Sequence, residues 1–311
     1  MRPVKFGLFF PQVGVAFPLI RERARLAERL GYEAVFVVDH MWGRGLPDMD
    51  HLEAWTLMTA VAMATERIRI GALVLCNSYR HPALLAKMAS SLDVISEGRL
   101  VLGLGAGWMD EEYRAYGYAF PRPRVRVEQL EEGVEVIKRL FTESRATFAG
   151  KYYSVEDAVN HPKPVQRPHP PILIGGGGER FLLRVVARHA DIWNCPNNHA
   201  TELPQRLAAL RSHCAAVGRN PDDIEISEQC VVVLGRTAED FREKWAFAKQ
   251  TVGRVFDLDK TAFRGTPEEV AEQLRKRVAQ GVTYFTFLLS DFHAPESLEL
   301  FAEKVIPAVR A

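Results

Sequence analysis

Pro170-Pro171-Ile172-Leu173-Ile174-Gly175-Gly176-Gly177-Gly178-Glu179-Arg180 decides how this chain is read. Ile172 to Ile174 is a short apolar run with β-branched residues, the pattern of a parallel strand covered on both faces. Four glycines end it, and helical sequence resumes at about Glu179. Glycine lets the backbone turn sharply and lets a ligand reach main-chain N–H groups with no Cβ in the way. A helix starting there aims its unpaired N–H groups and positive dipole end back into the loop. An anion cradle, above all for a phosphate, is one reading; a tight glycine turn at a helix start is the other. The spacing matches neither the dinucleotide fingerprint nor the P-loop.

Composition sets the outer limits. Of 311 residues, 47% are hydrophobic and 25% charged, ample material for a large core. A formal net charge of +1 argues against nucleic acid or a membrane surface as the main partner. Cys76, Cys195, Cys214 and Cys230 form no CxxC pair and no metal-ligand spacing, which predicts reduced thiols and a cytoplasmic location. Met1 to Phe6 lacks the apolar core of a signal peptide, and no apolar run reaches membrane-spanning length. His51, His161, His169, His189, His199, His213 and His293 show neither HxxxH nor HxH spacing, so no metal site is expected. The GxSxG elbow of a nucleophilic hydrolase is also missing.

Outward from the glycine run, strand and helix signals alternate. Strands are predicted at Val4 to Phe10, Ala34 to Val38, Ile68 to Leu75, Leu100 to Leu104, Ile172 to Ile174, Ala190 to Asn194, Ile224 to Leu234 and Thr283 to Leu289. Helical patterns follow each, for example Pro18 to Leu30, Val127 to Phe141 and Pro295 to Val309. Thr266-Pro267-Glu268-Glu269 is a strong helix start, with a capping hydroxyl, a first-turn proline and an acid at the third position. Residues 142–171 break the rhythm with a small hairpin around 146–154, and 236–264 form a second, mostly helical excursion. Eight strand–helix repeats predict an α/β fold, a closed (β/α)8 barrel forming a single domain over 1–311, with insertions near 105–126, 142–171 and 236–264. A doubly wound open sheet is the competing topology.

In such a barrel the chemistry sits at the C-terminal ends of the strands. Those ends carry Asp39 and His40, then Cys76, Asn77 and Ser78, then Gly105 to Trp108, the four glycines, Asn194, and Glu228 with Gln229. The strand bodies are almost wholly apolar. His40 is the leading candidate for proton chemistry, because imidazole titrates near working pH; a strand cap satisfied by backbone is the alternative. Asp39 reads as a ligand contact or a turn carboxylate. Trp108 reads as a wall for a planar ring or as packing under a loop. Asp110, Glu111 and Glu112 read as a solvated first helical turn rather than a catalytic cluster. The Arg122-Pro123-Arg124-Val125-Arg126 run reads as a solvated basic loop or an anion-steering one.

Phe36-Val37-Val38-Asp39-His40, the run from Ser96 to Trp108, Pro170 to Arg180, Ala190 to Asn194 and Gly265 to Val270 together resemble the bacterial luciferase-like family of flavin-dependent barrel enzymes. More narrowly, they are similar to its branch that uses the deazaflavin coenzyme F420. The similarity runs in consistent order over nearly the whole chain; the glycine-tryptophan and four-glycine segments are its specific parts. It implies a (β/α)8 barrel with the flavin ring in its mouth. The phosphate is then held by Gly175, Gly176, Gly177 and Gly178, with Asn194 and Cys195 nearby. Asp39 and His40 match the pair beside the ring and the reactive centre, and Gly105, Ala106, Gly107 and Trp108 the loop flanking the ring. A non-proline cis peptide behind the ring falls near Leu73-Val74. Relatives commonly form homodimers. One departure stands out: sugar-phosphate dehydrogenases of this branch place a glutamate where this chain has Trp108, which argues against a sugar phosphate as substrate.

The implied activity is hydride transfer between the deazaflavin C5 and a small hydrophobic or planar substrate, with His40 as the catalytic acid–base. An FMN-dependent monooxygenase on the same fold is the alternative. A barrel lyase or isomerase acting on a phosphorylated substrate is a second. The three excursions are expected to close over the mouth as lids.

Overall fold

Alternation along the central strands sends side chains to two separate apolar clusters, and that alternation builds the molecule. Ala34 and Phe36, Val101, Leu173, Ile192, and Tyr284 with Leu288 form one small cluster. Their strand neighbours Val35 and Val37, Leu102, Ile174, Trp193, and Phe285 with Phe287 belong to a much larger one. The first lines the bore of a barrel, and the second lies between the sheet and its surrounding helices.

The computed structural model describes residues 2–196 and 202–311. In chain order its elements are β1 (Lys5–Phe9), α1 (Phe17–Arg29), β2 (Ala34–Val37), α2 (Ala54–Ala64), β3 (Arg69–Ala72), β4 (Leu75–Cys76), α3 (Pro82–Ile95) and β5 (Leu100–Gly105). Next come α4 (Asp110–Ala115), α5 (Pro123–Thr142), the hairpin β6 (Ala146–Ala149) and β7 (Ser154–Ala158), β8 (Ile172–Gly175), α6 (Leu182–His189), β9 (Ile192–Cys195) and α7 (Leu203–Ala216). The last are β10 (Glu225–Leu234), α8 (Ala238–Gln250), α9 (Leu258–Thr261), β11 (Ala262–Gly265), α10 (Pro267–Ala279), β12 (Tyr284–Leu289), α11 (Glu296–Leu300) and α12 (Ile306–Arg310).

The strands run β12-β1-β2-β3-β5-β8-β9-β10, and β10 pairs back onto β12, so the sheet closes. The pairings are parallel, from Lys5 opposite Tyr284 round to Ser227 opposite Tyr284. With β3 and β4 counted as one interrupted strand, this is the predicted eight-stranded barrel. The capping box at Thr266 and Glu269 is formed, with Pro267 in the first turn of α10. The hairpin pairs antiparallel off the barrel, from Phe148 opposite Val155 to Ala149 opposite Ser154.

Four local differences from the sequence reading have physical causes. The third strand is split, because the chain leaves the ladder at Leu73-Val74, whose peptide is cis as the resemblance implies. The excursion at 236–264 returns through β11, which adds a ninth parallel strand outside β10. Helix α5 starts at Pro123, since proline suits a first turn, so the arginine run is its opening rather than a loop. Helix α6 starts at Leu182, one turn later than Glu179, because residues 179–181 form a turn closed by the Leu183 N–H on the Gly178 carbonyl, five residues back at 3.1 Å.

Glycines in the bore make room for large rings. A Cβ on Gly7 would stand 3.1 Å from the Phe36 ring and the Tyr284 hydroxyl, and one on Gly71 2.9 Å from Phe36. At Gly103 the conflict is with backbone, because a Cβ there would lie 2.0 Å from the Ala72 carbonyl oxygen. The detour of the third strand therefore requires glycine at 103. Gly103→Ala should lower the free energy of unfolding by about 2–3 kcal/mol, as overpacking against an immovable neighbour does. Urea denaturation checks this; an unchanged midpoint would show that the β3 backbone yields.

Candidate active site

The C-terminal strand ends meet at one mouth, and contacts link them in a continuous chain. The His40 ring lies edge-on to Trp108, with centroids 5.5 Å apart at 81°. Trp108 is 55% exposed, and the Arg44 guanidinium covers one face of its indole at 5.2 Å. Gly107 has φ +77 and lies so close to the Tyr113 hydroxyl and Cys76 Sγ that a Cβ would collide with both, at 1.9 and 2.9 Å. The Val74 side chain fills the space beside the next two glycines: a Cβ on Gly105 would lie 2.4 Å from one of its methyls, and one on Gly175 2.7 Å from the other. Gly175 pairs with Asn194 across β8 and β9.

The four glycines divide into two pairs. Gly175 ends β8, and Gly176 donates its N–H to the Asn194 carbonyl (3.1 Å) while accepting the Trp193 indole N–H (2.8 Å). These two tie β8 to β9. The amides of Gly177 and Gly178 meet no protein acceptor among the described residues. Next to them the Phe181 ring is flanked by the Arg180 and Arg124 guanidinium groups, 5.1 and 5.7 Å from its centroid.

Asp39 and His40 face different tasks. Asp39 is buried, and its carboxylate takes two hydrogen bonds from Arg80, at 2.8 and 2.9 Å, and one from the Cys76 N–H at 2.8 Å. Burial works against the Arg80 charge, but the Asp39 and Glu53 carboxylates beside it prevail and hold its pKa above the ordinary value. The pair anchors the loop after β4. His40 is 23% exposed at its side chain, and its Nδ1 lies 2.9 Å from Glu112 Oε2.

Glu112 is the residue the sequence reading misplaced. It is not part of a solvated turn: it is 1% exposed and holds His40, the Tyr79 hydroxyl (2.5 Å) and the Met41 N–H. Burial pushes its carboxyl up, but those three hydrogen bonds outweigh it and keep the group below its usual pKa. The available signal was the spacing Met109, Glu112, Tyr113, a buried stripe at helical intervals. Asp110, by contrast, is paired with Arg114, and Glu111 is exposed. His51, which no motif spacing singles out, lies close to His40, Glu112 and Asp39. Neither ring nitrogen has a partner among the described residues, and burial, followed by the nearby His40, lowers its pKa. His199 lies outside the described residues.

Two further expectations change. Asn194 turns into the bore, where its Nδ2 donates to the Ser227 and Thr286 hydroxyls at 3.0 and 3.2 Å. The Cys195 thiol turns outward into the helix layer; it is fully buried and its pKa is pushed up to about 12 by burial and then by Glu228. Glu228 faces the same layer and not the mouth, because strand alternation puts it on the outer side with Cys195, its partner in the β9–β10 ladder. Arg126 is not part of a solvated loop either, since it donates to the Gly107 carbonyl at 3.3 Å. The excursion after β10 reaches the mouth: Val252 and Phe256 pack against the bore cluster that holds Phe9, Leu73 and Leu288. An open cleft on that segment, lined by Lys249 and residues 253–259, includes none of the strand-end residues. Among the described residues no group of three or more His, Cys, Asp or Glu is placed to hold a metal ion.

Burial raises the Glu228 carboxyl to about 7, an effect the Arg277 charge only partly offsets. Arg277 Nε lies 3.3 Å away, yet Glu228 Oε2 has no aligned hydrogen bond. A folded-state value above the unfolded one means that the native form binds the extra proton. Its stabilisation is complete below the unfolded value and is lost as pH rises toward 7. Glu228→Gln removes that dependence. The stability of wild type relative to E228Q should therefore fall between pH 5 and pH 8 by at most about 3 kcal/mol. Urea midpoints at both pH values measure it; a rising difference would mean that Arg277 keeps Glu228 ionised.

Comparison with known proteins agrees with this geometry. The family model described as luciferase-like monooxygenase matches residues 4–253. The FMNH(2)-dependent dimethylsulfone monooxygenase of Pseudomonas putida is 28% identical, covering 99% of this chain and 96% of its own. The F420-dependent glucose-6-phosphate dehydrogenase of Microbacterium testaceum is 28% identical over 92% of this chain and 91% of its own. A solved F420-dependent secondary alcohol dehydrogenase, in complex with an F420-acetone adduct, superposes with a TM-score of 0.86 at 21% identity, each chain covered in full. The closed parallel barrel, the glycine-lined mouth and the matched residues 4–253 lead to one conclusion: the chain is a member of the luciferase-like monooxygenase family and an oxidoreductase.

Proposed function

We propose that this oxidoreductase is F420-dependent and moves a hydride between the deazaflavin's C5 and a small planar or apolar substrate, with His40 exchanging the accompanying proton. One observation carries the reading. The amides of Gly177 and Gly178, which meet no protein acceptor among the described residues, share a mouth with His40, through Gly175, Val74, Gly105 and Trp108. F420-dependent relatives that match over 92% and 93% of this chain support it.

The residues present fit such a coenzyme. The amides of Gly177 and Gly178, with Arg180 beside them, would hold its phosphate. Leu73, Val74 and the loop from Gly105 through Ala106 and Gly107 to Trp108 would flank its ring. Asp39, Gly176 and Asn194 would brace the mouth, since their polar atoms are taken up within the protein. Cys195 would contribute through its main chain only. When bound, the deazaflavin supplies two-electron chemistry, with stable one-electron states suppressed by the carbon at its N5 position. As a substrate alcohol loses hydride from carbon, its hydroxyl proton passes to His40 Nε2; in the reverse direction Nε2 returns it to the carbonyl oxygen. Two electrons leave with the hydride, and charge balances. The rings near His40 favour a planar or apolar substrate: exposed Trp108, and half-buried Trp42 stacked on exposed Tyr116 at 5.6 Å. Val252 and Phe256 would have to lift off the bore cluster to admit a ring, which makes the 236–264 excursion a lid. Four free, buried cysteines suit a reducing cytoplasm.

FMN on the same loop, with reduced flavin meeting oxygen, is the competing reading, favoured by the dimethylsulfone monooxygenase relative. Titration of the apoprotein with F420 and with FMN, followed by assays with isopropanol and with cyclohex-2-enone, separates the two. F420 should bind and FMN should not. A Cβ at Gly178 would meet only Leu182 Cβ, at 3.5 Å, so Gly178→Asp should fold normally and abolish binding by placing a carboxylate against the phosphate. Tight FMN binding without affinity for F420 would reverse the assignment, and turnover of a phosphorylated substrate without either cofactor would point to a lyase or isomerase.

We infer further that two copies pair through α2 and α3. No residue of α2 is charged, and its outward side carries only Thr56, Thr59 and Met63 besides small and half-buried residues, a surface that costs little to cover. Its Met63 is 70% exposed, as are Leu84 at 56% and Ile95 at 47% on α3. Light scattering should give a dimer mass for the wild type and a monomer mass for Met63→Glu; a dimer that survives would put the contact elsewhere.

A further inference from the structure

The three donors around Glu112 are not equivalent. The Met41 N–H has nowhere else to point and can only donate; it binds Oε1. His40 Nδ1 and the Tyr79 hydroxyl share Oε2, at 2.9 and 2.5 Å. The tyrosine ring is wedged against Tyr113 and Tyr118, with centroids 5.4 and 4.9 Å apart, so its hydroxyl is held in place. A buried carboxylate has lone pairs and no proton, so the imidazole atom facing it must carry one.

We propose that Glu112 is a positioning residue that fixes the neutral His40 ring with its proton on Nδ1, leaving Nε2 as the basic nitrogen that faces the mouth. The role rests on the oxidoreductase reading, in which Nε2 takes the substrate proton. Hydrogen bonding to one ring nitrogen dictates what the other can do. The low pKa of Glu112 agrees, since its carboxylate stays ionised across the working range. Tyr79 adds support from the other side: burial and the bond to Glu112 keep its phenol protonated, so it donates and does not compete for the proton on Nδ1. The adjacent Glu111 cannot replace it, being on the exposed side of α4.

The isosteric Glu112→Gln change makes the idea testable. The amide oxygen must stay on the Met41 N–H, because turning the amide round would set two donors against each other in a buried place. Its NH2 then faces Nδ1, which must accept, and the ring proton moves to Nε2. A group of the same shape thereby converts the open nitrogen from base to donor.

Long-range 15N–1H spectra of the full-length protein, at a pH where the ring is neutral, should show the His40 proton on Nδ1 in wild type and in Tyr79→Phe, and on Nε2 in E112Q. Whichever of isopropanol and cyclohex-2-enone the wild type turns over should be slowed roughly 100-fold by E112Q, with cofactor affinity unchanged. A proton still on Nδ1 in E112Q overturns the positioning role, whatever the cofactor does. If the proton moves but wild type binds neither F420 nor FMN, the oxidoreductase reading falls while the role of Glu112 stands.

Discussion

The Val74 side chain occupies the space where Gly105 and Gly175 have none, and the mouth is assembled around that contact. Because its two methyls stand 2.4 and 2.7 Å from the missing Cβ positions, neither glycine is replaceable without moving the third strand. Strands β5 and β8 therefore end as bare backbone, and a flat group lowered into the mouth would meet main chain and Val74 rather than protruding side chains. The detour that brings Val74 there also delivers Cys76 to the Asp39 carboxylate. Packing and polar anchoring thus arise from the same departure of the third strand from its ladder.

Charge at this end of the barrel follows one rule: what is buried is paired. Asp39 has Arg80 and a backbone N–H, and Glu112 has an imidazole, a phenol and a backbone N–H. Unpaired buried charges cost several kcal/mol, so these partners are a condition of folding as well as of any chemistry. The exceptions are the more informative for it. Among the described residues, the His51 ring nitrogens and the Gly177 and Gly178 amides meet no protein partner, and His51 lies close enough to His40, Glu112 and Asp39 to feel their charge.

The strands were legible because their apolar runs are long and their turns carry glycine or proline. The barrel followed from counting them. Even the position of the detour at Leu73-Val74 was anticipated, through resemblance and not through any local pattern. What stayed hidden depended on contacts distant in sequence. Glu112 sits in a six-residue helix, where the single stripe of Met109, Glu112 and Tyr113 is a weak periodic signal, and its partners come from residues 40, 41 and 79. The glycine run reads as one device in sequence, whereas two of its members serve the β8–β9 seam, and their partners Trp193 and Asn194 lie eighteen and nineteen residues beyond Gly175. Strand β11 was lost inside an excursion because four residues, Ala262–Gly265, carry little pattern of their own.

Asp39 and His40 show how one strand end serves two purposes. Consecutive residues in extended chain point to opposite sides. One side of the β2 terminus faces the loop after β4, where a carboxylate can be buried against Arg80; the other faces Trp108 and the mouth. An imidazole in that second position inherits its placement from the ion pair next door, because the backbone between them cannot shift without breaking Asp39's hydrogen bonds. Glu112 then fixes the rotation of the ring from a separate element. Location comes from one carboxylate and orientation from another, so the two can be altered independently.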